Sequence, residues 1–171
     1  MRFGHYPRVT AEFVGSAFLL MAVVGSGIMG ERLSGGNVAI ALLANTVATG
    51  AALALILTFG PISGAHFNPA VTLADASQRG IPWRKVPGYL LGQILGAFLG
   101  VGSAHSMFGL PLFSASRHAR GGASQVFSEF IATFGLLSVI WGCWRLHSSV
   151  VRFAVGPISQ LRIGSRLQHR C

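Results

Sequence analysis

The sequence predicts an all-α membrane protein of about four spanning helices and one re-entrant half-helix, built on an inverted repeat. Composition is the first reason. Only 10% of the 171 residues are charged and 51% are hydrophobic, and a mean hydropathy of +0.60 argues against a water-soluble globule. The second is a set of apolar runs long enough to cross a bilayer, roughly Phe13–Gly30, Val38–Phe59, Val86–Met107 and Val126–Trp144. The third is a short polar knot between the second and third runs, Ser63-Gly64-Ala65-His66-Phe67-Asn68-Pro69-Ala70-Val71-Thr72.

The first run opens on Thr10-Ala11-Glu12-Phe13 and is too long for the apolar region of a cleaved leader. A carboxylate near or within a bilayer is costly and needs partners, so Glu12 is a candidate functional residue. The second run is rich in Ala and Gly, hence narrow. After it, Gly60, Pro61 and Gly64 stop the helix from running on into the knot. Asn68 is a good helix N-cap, and Pro69 fits the first helical position, where its missing N–H costs nothing. The apolar stretch that follows, Ala70 to Ala76, is too short to span. The chain is therefore expected to enter, unwind, begin a half-helix near mid-depth and leave by the same side. Irregular backbone at that depth must be buried in protein or line a water-filled cavity.

The third run carries Gly88, Gly92, Gly96 and Gly100, a small residue at every fourth position that lets another helix approach closely. Gln93 among them is expected to bond across to a neighbouring helix. The segment from Gln78 to Lys85 reads as a cytoplasmic turn with an interfacial Trp83, and Phe108 to Gly122 as an external loop. The fourth run repeats the Glu-Phe pair of the first at Glu129-Phe130, and in both runs a Leu-Leu pair follows at the same spacing (Leu19-Leu20 and Leu136-Leu137). Glu12 and Glu129 lie 117 residues apart with an odd number of spans between their starts. The two copies thus run in opposite directions, which is an inverted repeat of the kind used by transport folds.

The net charge of +9 does not form one patch, which excludes a nucleic-acid partner. Arg2, Arg8, Arg79, Arg84, Lys85 and Arg145 fall on one side of the predicted membrane, and Arg32, Arg117 and Arg120 on the other. By the positive-inside rule the N-terminus is cytoplasmic, giving a multi-pass protein of the cell membrane (the inner one in a bacterium). Cys143 and Cys171 build neither a disulfide framework nor a metal site. No nucleophile–base constellation, metal cluster or cofactor cradle is legible, so neither catalysis nor a cofactor is expected.

The ten-residue knot, framed by membrane-length runs, resembles the first Asn-Pro-Ala loop of the aquaporin (major intrinsic protein) family. The resemblance covers roughly Ala11 to Gly156. It implies a passive channel for water or a small neutral solute, glycerol-like or metalloid-hydroxide-like, in a homotetramer within the lipid bilayer. It implies pore-lining roles for Asn68, Pro69 and Ala70 and for the carbonyls of Gly64, Ala65 and His66. The His66 imidazole is implied to shape the loop. Glu12 and Glu129 are implied to accept hydrogen bonds from loop backbone N–H groups, and Ala48 to stand where a filter residue would be, leaving the filter wide. Two half-helices meet head to head in that family, and by the 117-residue offset the second Asn falls beyond Cys171. The chain is accordingly divided into a first repeat (1–107), an external connection (108–123), the start of a second repeat (124–156) and an aberrant basic tail (157–171). A reading frame shifted at the Gly156 codon permits an apolar, aromatic continuation and would make the chain a truncated channel. Such a chain is expected not to conduct alone. Weighed beside this were a small proton-coupled efflux carrier working through Glu12 and an inactive fragment that associates with full-length subunits.

Overall fold

A computed structural model describes residues 3–112 and 122–146, apart from the side chains at 47–49, 51, 139 and 143–146. The described residues form six helices in the order α1 (His5–Leu33), α2 (Val38–Thr49), α3 (Ala51–Ser63), α4 (Pro69–Ser77), α5 (Val86–Met107) and α6 (Ala123–Leu146). A single 3-10 turn at Trp83–Lys85 leads into α5. Helices α1, α5 with that turn, and α6 are each long and apolar enough to cross a membrane. The tail 157–171, Arg2, Arg117 and Arg120 lie outside what is described, and of Ala48 in α2 and of Cys143 and Arg145 in α6 only the place in the backbone is described.

Two boundaries differ from the sequence reading. The first run starts at His5, two turns before Glu12, so this carboxylate stands inside α1 and not at its mouth. The second run is divided at Gly50, whose dihedrals (φ −58°, ψ −19°) stay right-handed and whose carbonyl accepts the Leu53 N–H at 3.0 Å. A glycine in a helix interior weakens it by about 1 kcal/mol, and a local tightening follows.

The turns obey local chemistry. Gly35 and Gly36 sit at positive φ after α1, and the Asn37 side chain then caps α2 by accepting the N–H groups of Ala39 and Ile40 at 3.1 and 3.2 Å. Pro61 lies in the last turn of α3, and Gly64 ends that helix at φ 101° with its N–H on the Gly60 carbonyl at 3.0 Å. Helix α4 starts as its sequence demands, with Asn68 extended at the N-cap and Pro69 next.

Helix α1 is the axis of the bundle, packed along α5 on one side and against α2 and α3 on another. The Gly88–Gly100 stripe makes the α1–α5 seam a contact of backbones. A Cβ placed on Gly92 would stand 3.0 Å from the Val9 carbonyl oxygen, and on Gly96 or Gly100 it would run into the carbonyl of Phe13 or Ala17. At the far end Arg32 clamps the seam, donating to the Phe108 carbonyl at 2.7 Å with its guanidinium 5.2 Å from the Phe108 ring centre. Deep between α1 and α2, Ser26 donates to the Asn45 side-chain oxygen at 2.7 Å. Ala76, Ile81, Val86 and Tyr89 form a small core under the short helix α4. Helix α6 is different: its side chains are largely exposed, and it meets α4 only slightly.

Candidate functional site

Between α3 and α4 the backbone leaves helical geometry for five residues, Gly64 to Asn68, with Ala65 (φ 50°) and Phe67 (φ 49°) both left-handed. Each such residue costs on the order of 1–2 kcal/mol for an L-amino acid, so the surroundings must hold the loop. Glu12 does most of this. It is fully buried, and its Oε1 and Oε2 accept the His66 and Phe67 N–H groups at 3.0 and 2.8 Å. Hydrogen bonds to a charged acceptor are about twice as strong as neutral ones. Gly15, one turn along α1, supplies the room: a side chain there would occupy the place of the Phe67 ring.

A second layer ties this carboxylate to the half-helix. Gln93 on α5 donates through Nε2 to Glu12 Oε2 and to Thr72 Oγ1, both at 2.8 Å. Thr72 is completely buried and lies 3.1 Å from His66 Nδ1 and 3.2 Å from the Asn68 carbonyl. His66 Nε2 in turn faces the Asp75 carboxylate at 3.6 Å, with its ring 5.5 Å from that of Tyr89. Tyr89, also fully buried, donates to the Ser63 carbonyl at 2.8 Å, and the Ser63 hydroxyl accepts the Ala65 N–H at 3.0 Å. Every turn of the loop is thereby tied to α1, α4 or α5.

At the head of α4, Asn68 Oδ1 accepts the Ala70 N–H at 2.8 Å. The oxygen end of the amide is committed to capping, and the two N–H groups of Nδ2 are the donors that remain. The half-helix brings its positive end to the same place. Gly64, Ala65, His66, Asn68, Pro69, Ala70 and Glu12 thus come together in one cluster. Glu129 does not join it. That residue is exposed on α6, with Gln125 of its own helix 3.5 Å away. Among the described residues no group of His, Cys, Asp and Glu could hold a metal.

Sequence reasoning missed four members of the cluster, Thr72, Gly15, Asp75 and Tyr89. Thr72 stood within the ten-residue string, and its spacing of four from Asn68 marks it as facing the same side of α4. Gly15 follows Glu12 by three residues and shares its face of α1. Tyr89 carries no such signal, because its partner is a main-chain carbonyl 26 residues away.

A long α1–α5 seam, a half-helix that starts at Asn68-Pro69-Ala70 inside the bundle, and a buried carboxylate pinning the loop before it define a membrane transport fold. The major intrinsic protein family model matches residues 2–169, and the chain belongs to that family. The match runs past Gly156, where the recognisable resemblance ended, into the basic stretch. The chain is 45% identical over 150 residues to the aquaglyceroporin AqpS of Rhizobium meliloti (strain 1021), covering 87% of this chain and 64% of the relative. Aquaporin NIP1-1 of Oryza sativa subsp. japonica is 35% identical over 163 residues, with 94% of this chain and 55% of the relative covered. Nodulin-26 of Glycine max is 35% identical over 164 residues, with 94% and 57% covered. The chain spans between about half and two thirds of the length of these relatives.

Proposed function

We propose that this chain builds the first half-site of a passive channel for water or a small neutral solute, in a multi-pass membrane protein with a cytoplasmic N-terminus that assembles as a homotetramer. The observation that carries the reading is the double bond from Glu12 to the His66 and Phe67 amides, which holds a capped half-helix in place. The donors of Asn68 and the positive end of α4 orient each passing oxygen and repel cations. The carbonyls of Gly64, Ala65 and His66 replace hydrogen bonds that the solute leaves behind. Pro69 and Ala70 shape the constriction. Glu129 takes for a second re-entrant loop the role that Glu12 takes for the first. Asn68 works against an opposing half-helix from a second repeat.

Stopped-flow light scattering on proteoliposomes tests this. A fusion of this chain to the part of the Rhizobium aquaglyceroporin beyond the matched region is expected to raise water or glycerol permeability well above that of empty vesicles. Asn68→Asp in the fusion should abolish the gain. A fusion that folds yet stays at the baseline sinks the channel reading. Uptake driven by a pH gradient would instead revive a carrier working through Glu12. The burial of this carboxylate and the occupation of both its oxygens speak against the carrier.

A further inference from the structure

Beside the glycine seam, α1 and α5 leave a groove of about 210 Å³ open to the surroundings, lined by Val9, Thr10, Phe13, Leu91, Gly92 and Leu95. Its floor is low because Gly92 contributes no side chain. Leu91 and Leu95, one turn apart and exposed along one wall, form an apolar edge that nothing among the described residues covers.

The end of this groove nearest the start of both helices is basic. Arg84 and Lys85 form the turn that opens α5, about two helical turns before Leu91, and Trp83 beside them is 60% exposed. Opposing negative charge is scarce at this end. Asp75 faces His66, and Glu12 is buried and taken by the loop. An apolar slot one chain wide, ending in two cations and an exposed indole, matches an amphiphile with an anionic head. Basic pockets between membrane helices bind such headgroups, and Trp settles at headgroup depth.

We propose that this groove is a site for one anionic diacyl phospholipid. An acyl chain lies along Phe13, Leu91 and Leu95, and the phosphate sits at Arg84 and Lys85. A soluble phosphate gains nothing from the slot, and a zwitterionic lipid of equal chain length gains little from the cations. The site lies on the α5 side of α1, away from the Glu12–Asn68 cluster, and does not depend on which solute the channel passes.

Native mass spectrometry of the full chain in neutral detergent tests it with phosphatidylglycerol, phosphatidylcholine of the same acyl chains, and glycerol phosphate. Phosphatidylglycerol should be retained more than about tenfold over phosphatidylcholine, and glycerol phosphate not at all. Arg84→Gln with Lys85→Gln should lower phosphatidylglycerol retention by about fivefold for each charge removed and leave phosphatidylcholine unchanged. Leu91→Ala with Leu95→Ala, at positions too exposed to disturb folding, should weaken both lipids by about tenfold. Equal retention of the two lipids overturns the proposal. So does a charge-variant effect without any leucine-variant effect, which would mean a diffuse basic surface and no groove. A second copy of the chain occupying the face in place of lipid overturns it as well.

Discussion

The two Glu-Phe pairs of this chain share a sequence pattern and live in opposite surroundings. Around Glu12 the bundle is complete: two loop amides, Gln93, Thr72 and the glycine seam enclose the carboxylate until none of it is exposed. Around Glu129 the described side chains are open, and the nearest polar partner, Gln125, is a neighbour on the same helix. The contrast teaches what the motif requires. A carboxylate inside a membrane helix becomes a structural centre only when a second element brings it N–H donors. In the first region α4 and its loop supply them. In the second they must come from outside the described residues.

The largest expected effect separates the two carboxylates directly. Glu12→Ala strands two loop amides and the Gln93 amide in a buried setting, and should destabilise the chain by about 3–5 kcal/mol. Glu129→Ala should change stability by no more than about 0.5 kcal/mol. Thermal unfolding in detergent, followed by circular dichroism, reads both, and similar losses would erase the distinction. Next in size is the seam. Gly96→Val must push α5 from α1 at the Phe13 carbonyl, costing about 1–3 kcal/mol or more, whereas Gly102→Ala and Gly135→Ala meet nothing within 4 Å. Those two should be neutral or stabilising by up to about 1 kcal/mol in the same assay.

How much of this was legible beforehand follows from how local each signal is. The half-helix start was readable because Asn68 and Pro69 carry their own capping chemistry. The seam was readable because four glycines at one spacing leave little else to do. Neither the break at Gly50 nor the depth of Glu12 was. Helix ends in an apolar run are set by tertiary support, and the polar residues from His5 to Thr10 hid the first two turns of α1. The Glu12–loop bonds reached the sequence reading only through family resemblance, since residues 54 and 55 positions apart announce no pairing. Tyr89 stayed hidden because a hydroxyl serving a backbone carbonyl leaves no trace in the partner's side chain.

Smaller effects sharpen the first region further. Tyr89→Phe leaves the buried Ser63 carbonyl without its donor and should cost about 1–1.5 kcal/mol, read from the unfolding midpoint. Asn68→Ala removes the cap on Ala70 and should cost about 1 kcal/mol, with fraying confined to α4 in hydrogen exchange. Loss of protection spread over α5 in the Asn68 variant would mean that α4 is no separate unit.

The central claim is that Glu12, and not Glu129, holds the re-entrant loop. Hydrogen–deuterium exchange of the His66 and Phe67 amides in lipid nanodiscs tests it most directly, comparing the unaltered chain with Glu12→Gln and Glu129→Gln. Glu12→Gln keeps the side-chain volume but replaces one acceptor oxygen with N–H donors that face the loop amides. Protection at His66 and Phe67 should fall by an order of magnitude or more in that variant and stay unchanged in Glu129→Gln. Undiminished protection in Glu12→Gln, or an equal loss in both variants, would contradict the account.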